Sequence, residues 1–177
     1  MPSAALERHP AVACAALRGI EASVARSREG LKLSYVLEGE IDRLRIPAPR
    51  PPRIAERLWQ HTCCEIFVAH KDLRGYHEFN LSPSGEWAAY AFTRYRKGAA
   101  ITDPALDPCI TVKRSGERLE LAALIRLRQE GKLQIGLAAV VEDQDGALSY
   151  WALRHAPGKP DFHHPQAFAL ELDEVRH

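Results

Sequence analysis

A period of two dominates this chain. Leu31, Leu33, Tyr35 and Leu37 alternate with Lys32, Ser34 and Val36, and Cys64, Ile66 and Val68 with Cys63, Glu65 and Phe67. His77, Phe79 and Leu81 alternate with Tyr76, Glu78 and Asn80. Successive side chains of a strand point to opposite faces, so this period predicts half-buried strands. Ile41–Ile46 carries a less clear alternation and is also read as a strand. Further strands are expected over Trp87–Arg94, Ile110–Arg114, Arg118–Leu127, Leu133–Glu142, Leu148–Leu153 and Ala167–Leu172, and the apolar run Ala11–Leu17 is read as the first. Turn residues separate them, as in Arg28-Glu29-Gly30, Ser82-Pro83-Ser84-Gly85, Ser115-Gly116-Glu117 and Asp143-Gln144-Asp145-Gly146. About ten short strands at this spacing predict an all-β, antiparallel β-sandwich of jelly-roll or immunoglobulin-like type.

Three stretches interrupt the pattern. Ile46–Arg53 holds Pro47, Pro49, Pro51 and Pro52, which excludes a central strand or a helix interior. It leads into Ile54–Gln60, long enough for one helical turn. Lys97–Cys109 and Arg154–Gln166 read as long loops, a length class that often carries function. There is no internal repeat or composition break, and 177 residues fit one domain spanning 1–177.

Charge and cysteine usage exclude several classes. Twenty-four Lys and Arg against 23 Asp and Glu leave a formal net charge of +1, so no global field draws the chain to nucleic acid or a membrane. No run approaches the ~18 apolar residues of a membrane span. The segment ahead of Ala11 lacks the positive character of a signal peptide, so a cytoplasmic location is expected. Cys14, Cys63, Cys64 and Cys109 form no C-x-x-C pair, and the adjacent Cys63 and Cys64 would face opposite ways on a strand. Buried free thiols are the simplest reading. Serine-hydrolase, P-loop and dinucleotide-binding motifs are absent.

If 63–69 and 76–82 are neighbouring strands, one face carries Glu65 with Cys63 and Phe67, and Glu78 and Asn80 with Tyr76. The other face is apolar core. Two carboxylates, an amide and aromatic rings suit a sugar, whose hydroxyls need hydrogen bonds and whose ring face packs on aromatics. The competing reading is the solvated outer face of a hairpin. Glu65 and Glu78 can also be written as a glycosidase pair, and Cys63 or Cys64 as a nucleophile beside His61 or His77, although apolar-flanked cysteines usually belong to an inert core. Trp87 and Trp151 suit a core, and Trp151 also sits at the edge of the second long loop. In that loop His155, Asp161, His163 and His164 offer donors for a divalent metal, with no metal-motif spacing; otherwise they are histidines bonding backbone in a loop pinned by Pro157, Pro160 and Pro165. Arg94, Arg96 and Lys97 around Tyr95 read as a solvated strand end.

The run Leu58-Trp59-Gln60-His61-Thr62-Cys63-Cys64-Glu65-Ile66-Phe67-Val68, followed by Tyr76-His77-Glu78-Phe79-Asn80-Leu81-Ser82-Pro83-Ser84-Gly85-Glu86-Trp87, resembles the DOMON-like superfamily, in particular bacterial proteins related to the family 9 carbohydrate-binding module. Ser149-Tyr150-Trp151-Ala152-Leu153 and Gly158-Lys159-Pro160-Asp161-Phe162-His163-His164-Pro165 resemble the C-terminal part of the bacterial DOMON-like subgroup. In the sugar-binding module two tryptophans sandwich a terminal sugar and strand side chains hold its hydroxyls. The resemblance implies Trp59 as one aromatic wall, Trp151 as the other, Glu65 as an acidic hydrogen-bonding group and Asn80 as the strand amide. Glu78 departs from the resemblance, which places a basic residue there. Other DOMON domains bind haem through Met and His; here the only methionine is Met1, which leaves His155 and His163 as candidate haem ligands.

The sequence therefore leads to non-catalytic binding of a small carbohydrate or polyhydroxylated ligand on a concave sheet face. Trp59 and Trp151 stack, Glu65, Glu78 and Asn80 hydrogen-bond, and His155, His163 and His164 are candidate loop contacts. No catalytic residue, cofactor, metal, nucleic acid or membrane is called for. The alternative is a protein-interaction or structural sandwich without a small ligand, and behind it haem or metal binding.

Overall fold

Residues 3–175 are described by the structure, a computed structural model. Twelve strands account for nearly all regular structure: β1 Ser3–Arg8, β2 Leu17–Ser27, β3 Gly30–Gly39, β4 Cys63–His70, β5 Tyr76–Leu81, β6 Trp87–Arg94, β7 Lys97–Ile101, β8 Cys109–Arg114, β9 Arg118–Ile125, β10 Leu133–Glu142, β11 Leu148–Ala152 and β12 Leu170–Leu172. Helix is confined to single 3-10 turns, among them Leu58–Gln60 and Pro165–Ala167. All strand pairs are antiparallel, and the strands form two sheets. One runs β7-β6-β5-β4-β10-β11, with β12 beside the far end of β10; the other runs β2-β3-β9-β8. Strand β1 joins them, pairing with β2 over Ser3–Leu6 and with β11 at Glu7 and Arg8.

The alternation explains how the sheets meet. Leu31, Leu33, Tyr35 and Leu37 of β3 with Leu119 and Leu121 of β9 pack against Ile66, Val68, Phe79, Leu81 and Leu137 of the opposite sheet in one continuous core. The Tyr35 hydroxyl, fully buried, crosses that core and donates to the Glu65 carbonyl at 2.6 Å. A buried phenol needs such an acceptor. The architecture is the antiparallel β-sandwich expected from the period of two.

Several strand assignments are corrected. Ala11–Leu17 is not a strand; pairing occurs on the other side of Pro10, over Ser3–Arg8. Ile41–Ile46 is a 3-10 turn at Ile41–Arg43 followed by a single bridge at Leu44. Strands β2 and β7 lie where none was expected, and β7 occupies the start of the anticipated loop Lys97–Cys109. All four cysteines are free; Cys63 and Cys64 are buried, Cys14 is half-buried and Cys109 is exposed.

The outer face of the β4-β5-β10-β11 sheet is not left to solvent. Residues 153–169 cross it as a strap before the chain returns to the sheet as β12. Phe162 and Phe168 of the strap pack with Phe67, Tyr76, Ala138, Val140, Tyr150 and Ala152 in a second apolar cluster. Backbone carbonyls pin the strap: His9 Nε2 lies 2.9 Å from the Gly158 oxygen, and His155 Nε2 lies 2.6 Å from the Glu7 oxygen. Gly136 lets it approach, since a Cβ there would stand 3.1 Å from the Ala167 carbonyl.

Candidate functional site

Strand parity assembles the site. On β4, Glu65 and Phe67 leave the core while Cys64, Ile66 and Val68 enter it. On β5, Tyr76, Glu78 and Asn80 share the outward face, with Asn80 opposite Glu65 and Glu78 opposite Phe67. On β6, Tyr90 lies opposite Glu78 and Phe92 opposite Tyr76. Val140 of β10 and Tyr150 of β11 extend the same face.

Three irregular segments raise walls around this floor. The proline-rich segment is tied down by the Trp87 N–H donating to the Arg53 carbonyl and the Ala55 N–H donating to the Trp87 carbonyl. It then enters the 3-10 turn at Leu58 through Arg57 in the left-handed region (φ 58°), which presents Trp59 at the rim. The β6–β7 turn contributes Arg96, and the strap contributes Pro160, Phe162 and His163. Together they enclose a cavity of about 430 Å³. That lies within the roughly 300–1,000 Å³ range of small-molecule sites.

The electrostatics are unusual for a solvated face. Glu65 is only 3% exposed, and burial, followed by the neighbouring Glu78 charge, pushes its carboxyl well above the usual range. Glu78 is pushed up to about 7 by burial, against the opposing pull of Asn80 and Arg96. Asn80 is fully buried and sits near enough to favour the Glu78 carboxylate, yet among the described residues neither its Oδ1 nor its Nδ2 makes a hydrogen bond. His163 is lowered to about 4, by burial first and then by Arg96, so its ring is neutral near pH 7.

A hydrogen-bond chain positions His163. The Arg96 backbone N–H donates to the Tyr76 hydroxyl at 3.1 Å, the Tyr76 oxygen lies 2.7 Å from His163 Nδ1, and His163 Nε2 stands 3.4 Å from Glu78 Oε2. Asp161 holds the strap end of this chain, pairing with Arg96 Nη2 at 2.8 Å and accepting from the Tyr95 hydroxyl.

Trp59, Glu65 and Glu78 line the cavity, with Asn80 behind the two carboxyls. Trp151 does not: it is 5% exposed, belongs to the core between the sheets, and donates its indole N–H to Ser149 Oγ at 2.9 Å. Its neighbour Tyr150 occupies the cavity side of β11 instead. Of the loop histidines only His163 reaches the site. His155 bonds the Glu7 carbonyl, and the His164 ring accepts from the Gln166 N–H at the head of a 3-10 turn. His155 and His163 thus have different partners, the Glu7 carbonyl and the Tyr76 hydroxyl. Among the described residues no group of three or more His, Cys, Asp or Glu is placed to hold a metal ion. Nor is any helix there long and apolar enough to cross a membrane.

Tyr90, Phe92, Tyr150, Phe162 and Arg96 belong to the site and were not anticipated from sequence. For Tyr90 and Phe92 the signal was present, because Trp87 and Ala89 on the core face put Tyr90 and Phe92 on the other. Arg96 carried no such signal, since only the fold brings it over Asp161.

No family model matches this chain, and no curated protein matches it at a significant level. Solved structures do. A "putative carbohydrate-binding protein" from Bacteroides uniformis ATCC 8492 superimposes with a TM-score of 0.64 at 16% identity, over 88% of this chain and 78% of that one. A family 9 carbohydrate-binding module from Caldicellulosiruptor kristjanssonii in complex with glucose gives 0.55 at 12% identity, over 88% and 75%. The cellotriose complex of a family 9 module from the same organism gives 0.51 at 12% identity, over 79% and 67%. At these identities the likeness is one of fold: this chain has the β-sandwich architecture of those proteins.

Proposed function

We propose that the protein binds a small carbohydrate, of mono- or disaccharide size, in the cavity between the β4-β5-β6 face and the strap, without transforming it. One observation carries this reading: Glu65 and Glu78 line a cavity rimmed by the half-exposed Trp59, with Asn80 buried behind them. Buried polar groups recognise hydroxyls, and aromatic rings recognise the apolar face of a sugar ring. The fold likeness to proteins named for carbohydrate binding supports the same class.

Calorimetric titration with glucose and cellobiose tests the reading. Saturable binding by the parent protein is expected, weakened about tenfold or more by Trp59→Ala, the factor that 1.4 kcal/mol represents. Because Trp59 is 48% exposed, the substitution should cost less than about 1 kcal/mol of stability. Equal binding by parent and variant would remove Trp59 from the site. A large loss of stability would make it a packing residue.

A further inference from the structure

The polar cluster at the cavity floor is incompletely hydrogen-bonded. Glu65 responds to burial and to the Glu78 charge, with no donor from the described residues among its influences. Asn80 is fully buried with both amide atoms unpartnered among the described residues. Glu78 meets His163 Nε2 at 3.4 Å, a long contact to a neutral ring. Native proteins rarely leave buried polar groups in this state unless something else completes them. The charge balance points the same way. Arg96 is the cationic side chain of the lining, and Asp161 already holds it at 2.8 Å. The cavity thus presents two carboxyls with no cation of their own, beside the rings of Trp59, Tyr90 and Phe92. Aromatic ring faces attract cations.

We infer that the sugar carries a cationic amine, whose ammonium group seats between Glu65 and Glu78, so that the ligand class is an amino sugar. An ammonium group brings three donors to the two carboxyls, and its positive charge favours their ionised forms. A neutral hydroxyl brings one donor and no charge. The inference rests on the sugar-binding reading and narrows it.

The test is calorimetric titration at pH 7 with glucosamine, glucose, N-acetylglucosamine and choline, repeated on Glu78→Gln. Glucosamine should bind about tenfold or more tighter than glucose and N-acetylglucosamine, as charge-assisted hydrogen bonds predict. The isosteric Glu78→Gln variant should close most of that gap. Glucose or N-acetylglucosamine binding as well as glucosamine would overturn the amine and leave the sugar site standing. Choline binding without any sugar would overturn the sugar reading and the amino sugar with it, as would silence from all four. The comparison of ligands on the parent protein decides the matter even if the variant folds poorly.

Discussion

Glu78 couples folding to pH through its burial. Its folded-state carboxyl sits at about 7, above the ordinary value of 4.5, so the folded protein holds a proton that the unfolded chain has released between those limits. Stability from this group is therefore present below about 4.5 and is lost as pH rises through about 7. The loss is on the order of a few kcal/mol. Glu65, Asn80, Tyr90, Arg96 and His163 surround it, and Glu65 is raised in the same sense. Urea denaturation at pH 5 and pH 8 should show Glu78→Gln gaining stability relative to the parent at the higher pH; a pH-independent difference would mean that the carboxyl is ordinary in the folded state. At Trp151 the expectation is purely one of packing. Truncation to Ala should cost about 3–5 kcal/mol in the same assay, while Tyr150→Ala should act mainly on ligand affinity. These two neighbours show how far single residues were legible. The period of two placed Glu65, Glu78 and Asn80 on one face correctly. On β11 the larger indole drew attention away from parity, and Tyr150 was the cavity residue.

Among elements, the strap does for the site what no strand does: it closes it. Its hold near the cavity depends on Asp161, which pairs with Arg96 and accepts the His163 N–H at 3.1 Å. Arg96→Ala should speed hydrogen exchange at the His163 amide and weaken ligand binding. The half-exposed ion pair itself is worth less than about 1 kcal/mol of global stability. Unchanged exchange at His163 would show that the histidine and backbone anchors suffice. Strands with strong side-chain alternation were readable from sequence; those held by backbone pairing were not. β7, Lys-Gly-Ala-Ala-Ile, is an almost wholly exposed edge strand with no alternation to read. β2 mixes Gly, Ala and Ser with its few large apolar residues. β1 buries only Leu6, because each of its halves serves a different sheet. The strap itself read as a long loop, but nothing local in Arg154–Gln166 said which sheet face it would cross.

At the scale of the whole molecule, β1 makes the two sheets interdependent. Its first half hydrogen-bonds one sheet and its last residues the other, and the Tyr35 hydroxyl adds a bond across the core between them. Differential scanning calorimetry should therefore give one transition with equal calorimetric and van't Hoff enthalpies. Two transitions would mean that the sheets unfold separately. Because β1 near the start of the chain must find β11 near its end, folding should be slow for this size, in the millisecond-to-second range of non-local β proteins. The strap's position carries a different consequence. The residues that hold the sandwich together and those that roof the cavity occupy separate stretches of chain, and the roof carries no ladder of the sandwich. On the proposed function, changes confined to Gly158–His163 are expected to shift ligand preference while the strand ladders stay intact, so that one frame could serve several ligands without a new architecture.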